Sequence, residues 1–200
     1  TLHGNVQKGI PMAGPAKMQA MIVDTAYNYA CEHGLSSLSV RAIAKECSVS
    51  VGSIYNYFPD KAALITEVIT KFWRTIAFSK ETQTCLNYRE GESLITFCER
   101  LYTTMNHALD QFRNNWLGEV SSLDARTRQK GRQAENACFE HIYHSLEKVI
   151  CADALIDKQK LSAIGAPELS RFIWQSIYQA LRAKDENCTT LFTLLRFALY

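Results

Sequence analysis

Apolar residues recur every three or four positions along most of the chain, which is the spacing of amphipathic helices. The first such stripe begins near Met18 and ends at Gly34, a residue that adopts a positive φ at a helix end without steric cost. No alternating pattern typical of strands extends beyond a few residues, and no internal repeat is present. The pattern predicts an all-α fold with about nine helices.

Two short helices are predicted before the proline at position 59. The first runs from Val40 to about Cys47 with Ser39 as its N-cap. After a tight turn, the second begins behind Ser50 and ends before Pro59, because the residue preceding a proline is pushed out of the helical region. A long helix, capped by Asp60, follows from Lys61 through Thr75 or beyond, and further helices are predicted over 91–113, 129–151, 167–183 and 191–200.

Composition narrows the class of protein. Apolar residues make up 47% and charged residues 21% of the chain, so a packed core is possible and extensive disorder is not expected. No apolar run is long enough to span a membrane and no signal peptide is visible, which predicts a soluble cytoplasmic protein with no membrane partner. The seven cysteines contain no CxxC spacing and are expected to be reduced. Residues 1–80 hold eight bases and five acids, which weakly favours a polyanionic partner.

The two short helices and the one before them follow the helix-turn-helix plan. Ala44 supplies the small residue where the short helices cross, and Val49 supplies the apolar wedge in the turn. The second helix must approach base edges closely, and Gly52 allows such an approach because it has no side chain. A tri-helical core can be filled by Leu38, Ile43 and Ile54.

These residues resemble the TetR-type transcriptional repressors. The resemblance covers about residues 20–66 and includes Ile22, Ala26, Gly34, the segments 39–44 and 49–58, Lys61 and Leu64. One position departs from the family, because Ser48 stands in the turn where a glycine is usual. If Ser48 adopts the left-handed conformation, the strain is about 1 kcal/mol, which a packed turn tolerates.

The resemblance and the helix geometry together predict a DNA-binding surface. Short side chains at the start of the second helix face the major groove, and a lysine in the first turn of the next helix opposes the helix dipole unless a phosphate lies nearby. By resemblance, Tyr57 and Lys61 contact phosphates, whereas Arg41 reaches a guanine or a phosphate. The alternative interpretation of Arg41 is an ordinary solvated arginine on the helix surface. The predicted DNA-binding residues are Ser39, Arg41, Ser50, Val51, Gly52, Ser53, Tyr55, Asn56, Tyr57 and Lys61.

Beyond about residue 80 no further motif occurs, and the family resemblance implies a helical domain that binds a small molecule and dimerises. Three regions are expected: a flexible arm over 1–17, the DNA-binding domain over 18–64, and an effector-binding and dimerisation domain over 65–200. A stripe of aromatic and apolar residues at helical spacing is more often plain core than a cavity lining, but it supplies the candidates for the effector pocket: Phe97, Tyr102, Met105, Phe112, Trp116, Phe139, Tyr143 and Trp174.

The last two predicted helices carry more apolar surface than one core stripe needs, which favours sharing with a second copy. By resemblance, the shared surface is a four-helix bundle across a two-fold axis. Its predicted interface residues are Phe172, Gln175, Tyr178, Leu191, Leu195 and Ala198.

The sequence offers little support for other chemistry. His141 and His144 lie three apart on a predicted helix, where a metal site is conceivable, but ordinary surface histidines are favoured. No cofactor and no catalytic motif is found, so an enzyme is not expected. The leading interpretation is a homodimeric, ligand-responsive repressor that binds a palindromic operator. The alternative is a small-molecule sensor whose helix-turn-helix does not read DNA.

Overall fold

The computed structural model describes residues 14–110, 119 and 124–200, and this part of the chain is helical without strands. Its ten helices are α1 (Pro15–His33), α2 (Val40–Glu46), α3 (Val51–Tyr55), α4 (Lys61–Ala77), α5 (Lys80–Leu86), α6 (Leu94–Asp110), α7 (Ala125–Ala152), α8 (Lys158–Ile164), α9 (Ala166–Ala183) and α10 (Thr189–Leu199). The all-α prediction is confirmed. None of these helices is long and apolar enough to cross a membrane.

The first three helices enclose a small core, and α4 joins it to the rest of the molecule. Ile22, Leu38, Ile43 and Ile54 are completely buried there, which agrees with the predicted tri-helical packing. α4 packs on α1 near one end and along α7 over much of its length. The predicted boundary at 64/65 therefore falls within one continuous helix, and the domain division stays a prediction.

The remaining helices pack around α6, α7 and α9. α7 lies against α4 and α9, while α6 contacts α5, α9 and α10. Buried residues from all these helices except α8 join those of the first three helices in one continuous cluster. Most of the described apolar residues in the stripes predicted over 91–113, 129–151 and 167–183 are accordingly buried.

Several predicted boundaries were wrong. α1 begins at Pro15 rather than near Met18, because proline is favoured at the first helical position, so residues 15–17 are helical and not part of an arm. The other arm residues, 1–13, and the end of the helix predicted over 91–113 lie outside the described residues. The helices α5 and α8 were missed. Each has seven residues, and α8 buries none of them, so neither shows an apolar stripe.

Candidate nucleic-acid interface and ligand site

The turn between α2 and α3 has the geometry that its sequence predicts. The Oγ atom of Ser39 accepts a hydrogen bond from the backbone N–H of Ala42 at 3.1 Å and caps α2. Ser48 has a φ of 54° and therefore adopts the left-handed conformation. It stands where the TetR-type repressors usually have a glycine. The backbone N–H of Val49 donates to the carbonyl of Ala44 at 2.9 Å, and the half-buried Val49 side chain packs against the core.

The short helix α3 exposes most of its outer face. Val51 is 37% exposed and Tyr55 is 48% exposed, and Gly52 and Asn56 are also exposed. A Cβ atom added to Gly52 would meet only the Oγ atom of Ser50, at 3.6 Å. Packing among the described residues therefore does not require a glycine at this position.

Two serines at the start of α3 hold each other in place. The Oγ atom of Ser50 accepts from the backbone N–H of Ser53 at 3.0 Å, as predicted for an N-cap, and the two hydroxyl oxygens lie 2.8 Å apart. Ser50 is exposed and Ser53 is half-buried. Whichever hydroxyl donates within this pair, the other keeps its proton and can donate to a base or a phosphate, while the donor keeps a lone pair that can accept from a base.

The other predicted DNA contacts lie on either side of α3. Arg41 is exposed in the first turn of α2, and Lys61 is exposed at the first position of α4. Tyr57 is half-buried and packs against the core with part of its ring. The helix dipole places partial positive charge at the start of α4, where the Oδ1 atom of Asp60 accepts from the N–H of Ala63 at 2.7 Å.

A carboxylate far along the chain supports the turn that leads into α2. The backbone N–H of Leu35 donates to Oε2 of Glu119 at 2.5 Å, and the hydroxyl of Ser36 donates to Oε1 at 3.3 Å. A Cβ atom on Gly34, whose φ is 87°, would lie 2.9 Å from Glu119 Oε1. Sequence reasoning missed this contact because no periodic pattern links residues 84 positions apart.

The predicted effector residues do not line a single cavity. Phe97 and Met105 lie in the core cluster, and Tyr102 lines a cavity of about 330 Å³ beside α10. Phe139, Tyr143 and Trp174 line a groove of about 830 Å³ between α7 and α9. The two others, Phe112 and Trp116, lie outside the described residues.

A buried polar cluster forms the deep side of this groove, which we call the α7–α9 groove. Glu135 is only 6% exposed, and burial raises the pKa of its carboxyl group above the ordinary value despite hydrogen bonds from Trp73 and Tyr178 and the nearby Arg132 and Arg182. No sequence pattern singled out this glutamate, because a single acid on a long helix resembles any other surface acid.

Trp174 contributes an unusual donor next to this cluster. Its Nε1–H group is buried and has no hydrogen-bond acceptor among the described residues, and the side chain is 1% exposed. Its ring packs edge-on against Phe139, with the ring centres 5.0 Å apart. An unsatisfied buried donor of this kind destabilises a protein by about 1–3 kcal/mol.

The predicted dimer residues are only partly at the surface. Phe172 is 53% exposed, and Gln175 and the half-buried Tyr178 line the α7–α9 groove with it. Ala198 is exposed, but Leu191 and Leu195 are 6% and 3% exposed and face the core of the protomer. Helix α10 contacts α6, and both leucines are buried within the protomer, so their place in an interface stays a prediction.

The two histidines of α7 have ordinary partners. His141 stacks on Phe78, with ring centres 5.0 Å apart, and its Nε2 atom lies 3.3 Å from the carbonyl oxygen of Ala77. The Nδ1 atom of His144 lies 2.7 Å from the carbonyl oxygen of Glu140. Within the described ranges, no three His, Cys, Asp or Glu residues are grouped so that they could hold a metal ion.

Comparison with known proteins identifies the first part of the chain. Residues 22–68 match the family model described as bacterial regulatory proteins, tetR family. A 55-residue segment is 38% identical to YuxN of Bacillus subtilis, an uncharacterized HTH-type transcriptional regulator. That match covers 28% of this chain and 19% of YuxN, so the chain spans about a fifth of this relative's length.

Solved structures share the fold over nearly the whole chain. A tetR-family transcriptional regulator from Streptomyces coelicolor aligns with a TM-score of 0.59 and 12% identity over 92% of this chain and 78% of its own. GusR of Salmonella enterica aligns with a TM-score of 0.56 and 20% identity, covering 94% and 98%. The multidrug binding protein EbrR, solved in complex with proflavin, aligns with a TM-score of 0.59 and 17% identity, covering 90% and 99%. Residues 22–68 therefore match the DNA-binding domain of the tetR family, and the chain shares the fold of solved TetR-family regulators.

Proposed function

We propose that this regulator is a cytoplasmic homodimer that represses transcription by binding a palindromic operator and leaves it when a small-molecule effector binds. The observation that carries the proposal is the match of residues 22–68 to the family's DNA-binding domain, together with the exposed outer face of α3. Its role is regulatory rather than catalytic, and its partners are DNA, an effector and a second copy of the chain.

In this proposal α3 enters the major groove. Val51 contacts a thymine methyl group, Ser50 and Ser53 bond bases or phosphates, and Gly52 lets the backbone come close. Tyr55 and Asn56 lie at the rim of the groove. The flanking residues Ser39, Arg41, Tyr57 and Lys61 bind phosphates and fix the register, with Arg41 also able to reach a guanine. The exposure of Arg41 and Lys61 supports these contacts.

The test compares two lysines in equivalent structural positions. Lys61 and Lys158 are both exposed, and each is the first residue of its helix. We expect Lys61→Ala to weaken DNA binding and to reduce the slope of log affinity against log salt by about one, because one phosphate contact is lost. Lys158→Ala should bind as the wild type does. Equal affinities and slopes for all three proteins in gel shifts at several salt concentrations would show that Lys61 does not dock on DNA.

The effector site is proposed at the aromatic wall of the α7–α9 groove. Phe139, Tyr143 and Trp174 provide apolar contact, and Gln175 on the same lining provides a polar group. The proflavin complex of EbrR supports small-molecule binding by a protein of the same fold. Binding there would alter the separation of the two recognition helices and so weaken operator binding.

The dimer is proposed to form along the outer rim of the same groove. Phe172 is a large exposed apolar side chain in the middle of a helix, and Gln175 and Gln179 follow it along the exposed side of α9. An aromatic anchor with neighbouring polar groups is the usual composition of a protein interface. A two-fold axis here presents two copies of α3 to a palindromic operator.

A small-molecule sensor whose helix-turn-helix does not read DNA remains the second candidate. It is favoured only by the weakly basic charge of the chain, which is +2 overall. A sensor of this kind would bind duplex DNA weakly and with equal affinity for all sequences, so the ratio of affinities for a selected operator and an unrelated duplex of the same length separates the two functions.

A further inference from the structure

A single helix connects the DNA-binding domain to the α7–α9 groove. α4 starts at Lys61, beside the helix-turn-helix, and ends at Ala77 against α7. Leu64 is buried in its first turns and Trp73 near its other end, both completely. The orientation of α4 on α7 thus determines where the helix-turn-helix lies relative to the rest of the protomer.

One oxygen atom joins α4 to the two helices of the groove. The Nε1–H of Trp73 on α4 donates to Oε1 of Glu135 on α7 at 2.9 Å. The hydroxyl of Tyr178 on α9 donates to the same oxygen at 3.3 Å. Three helices therefore meet at the Glu135 carboxylate, which we call the Glu135 junction.

Two aromatic rings around this junction restrict the orientation of the Trp73 ring. Its ring lies edge-on to Phe139 at 4.9 Å between centres and to Tyr178 at 5.6 Å. One turn before Trp73 on α4, the side chain of Ile69 comes close to the backbone of α7, since a Cβ atom on Gly131 would lie 3.6 Å from Ile69 Cδ1. The rings fix the plane of Trp73, and the hydrogen bond fixes the direction of its N–H edge.

A buried carboxylate at the position of Glu135 is not the side chain that would stabilise the fold most. Burying a charged group carries a desolvation cost, and apolar residues of similar volume often stabilise such sites as well or better. What the carboxylate adds is a directional acceptor that selects one arrangement of the three helices. A selected arrangement matters most in a protein whose two DNA-reading helices must hold one separation.

We propose that Glu135 is a positioning residue that fixes α4 against α7 and α9 and thereby sets the spacing of the two α3 helices in the dimer. The inference rests on the proposed function as a dimeric DNA-binding regulator. Glu135 also lines the α7–α9 groove, so a molecule bound there sits directly beside the group that holds α4. The same junction then carries the effect of that molecule to the DNA-binding domain.

The test begins with a measurement that needs neither DNA nor a dimer. The protein has three tryptophans, so ¹⁵N-tryptophan labelling gives at most three indole signals, and Trp73→Phe identifies the one of Trp73. We expect the Trp73 indole proton to exchange slowly with solvent in the wild type and in Glu135→Gln, whose amide oxygen still accepts. In Glu135→Leu it should exchange at least about tenfold faster, because its acceptor is gone.

The second measurement asks whether the junction sets the spacing of α3. Spin labels on an encoded azido residue at the exposed Glu46 give the distance between the two DNA-binding domains of a dimer. Trp73→Phe and Glu135→Leu should broaden this distance distribution and lower operator affinity about five- to tenfold. Glu135→Gln should remain close to wild type in both. Glu140→Gln, at an exposed position of α7 outside the groove lining, is the control and should also remain close.

The outcomes separate this inference from the proposed function. Wild-type distances and affinity in Glu135→Leu and Trp73→Phe would overturn the positioning role, even with a dimer that binds its operator. Glu135→Gln as impaired as Glu135→Leu would also overturn it, since charge and not the hydrogen bond would then matter. A wild-type protein that is monomeric or does not bind DNA would contradict the proposed function instead, whatever the indole exchange shows.

Discussion

The Glu135 side chain is held in a place that disfavours its charged form. Burial raises the pKa of this carboxyl group, and the opposing effects of Trp73, Tyr178, Arg132 and Arg182 do not fully compensate. The unfolded chain ionises near the ordinary pKa of 4.5, whereas the folded chain keeps the proton to a higher pH. The contribution of this group to folding is therefore complete below about pH 4.5 and is lost as the pH rises through the folded pKa.

This linkage predicts a pH-dependent gain in stability from Glu135→Gln. The neutral amide has no ionisation to lose, so the free energy of unfolding of the variant should approach that of the wild type at pH 4 and exceed it increasingly toward pH 7. Urea denaturation at several pH values measures the difference. Glu140→Gln, at an exposed position of the same helix, is the control and should show no such trend. A difference that shrinks as the pH rises would contradict the account.

The helix-turn-helix was predictable residue by residue because its requirements are local. Ser39, Ser50 and Asp60 each cap the next helix, because the side chain accepts a hydrogen bond from the backbone N–H three residues beyond, a contact that sequence spacing alone specifies. Ser48 adopts the left-handed conformation, which the resemblance had raised only as a possibility because a glycine is usual at this position. The contacts of Glu119 and Glu135 were not predictable, because they depend on how distant helices pack.

At the scale of elements, the length of a helix and the number of residues it buries determine whether the helix can be predicted from the sequence. Long helices such as α4, α6 and α9 bury one clear stripe and were predicted, whereas the seven-residue helices α5 and α8 are too short to show one. Helix α10 is apolar on nearly all sides, and the sequence could not say which side faces the core. Leu191 and Leu195 do so, whereas Leu194 and Phe197 are exposed.

A substitution at Gly52, on the proposed recognition helix α3, should change stability and DNA binding in opposite directions. Its glycine lies in an ordinary helical conformation, and an added Cβ meets only Ser50 Oγ at 3.6 Å. We expect Gly52→Ala to raise the free energy of unfolding by about 0.5–1 kcal/mol through helix propensity. The same change should lower operator affinity by about tenfold or more, because the methyl group occupies space that the DNA backbone or a base edge needs.

A second glycine supplies the control for this prediction. Gly131 lies within α7 with a similar 3.6 Å contact to Ile69 Cδ1, far from the helix-turn-helix in sequence. Gly131→Ala should gain comparable stability and bind the operator as the wild type does. Thermal unfolding and a binding titration of both variants measure the two quantities. If Gly52→Ala binds with undiminished affinity, no close approach occurs at α3.

At the scale of the whole molecule, the dimer prediction depends on Phe172. This side chain is exposed in the protomer, so Phe172→Asp should leave the fold intact and raise the dimer dissociation constant by at least about 30-fold, as for a 2 kcal/mol hot spot. Sedimentation at micromolar concentration should then show a species of 22.7 kDa in place of one of twice that mass.

The matched variant for this measurement is Phe197→Asp. Phe197 is 81% exposed on α10 and does not line the α7–α9 groove, so its replacement should leave the dimer unchanged. Leu195→Asp is unsuitable, because Leu195 is buried in the protomer and an aspartate there would unfold the chain. A dimer that persists in Phe172→Asp and dissociates in Phe197→Asp would place the interface on α10.

Selection of bound sequences from a library of random DNA duplexes tests the central claim most directly. A homodimer that reads DNA with α3 should enrich a palindrome whose half-sites are centred one helical turn, about 34–36 Å, or a multiple of it apart. The double variant Arg41→Ala and Lys61→Ala should enrich the same motif weakly or not at all. Recovery of no motif by the wild type, or of a single site without two-fold symmetry, would contradict the account of this protein as a dimeric operator-binding regulator.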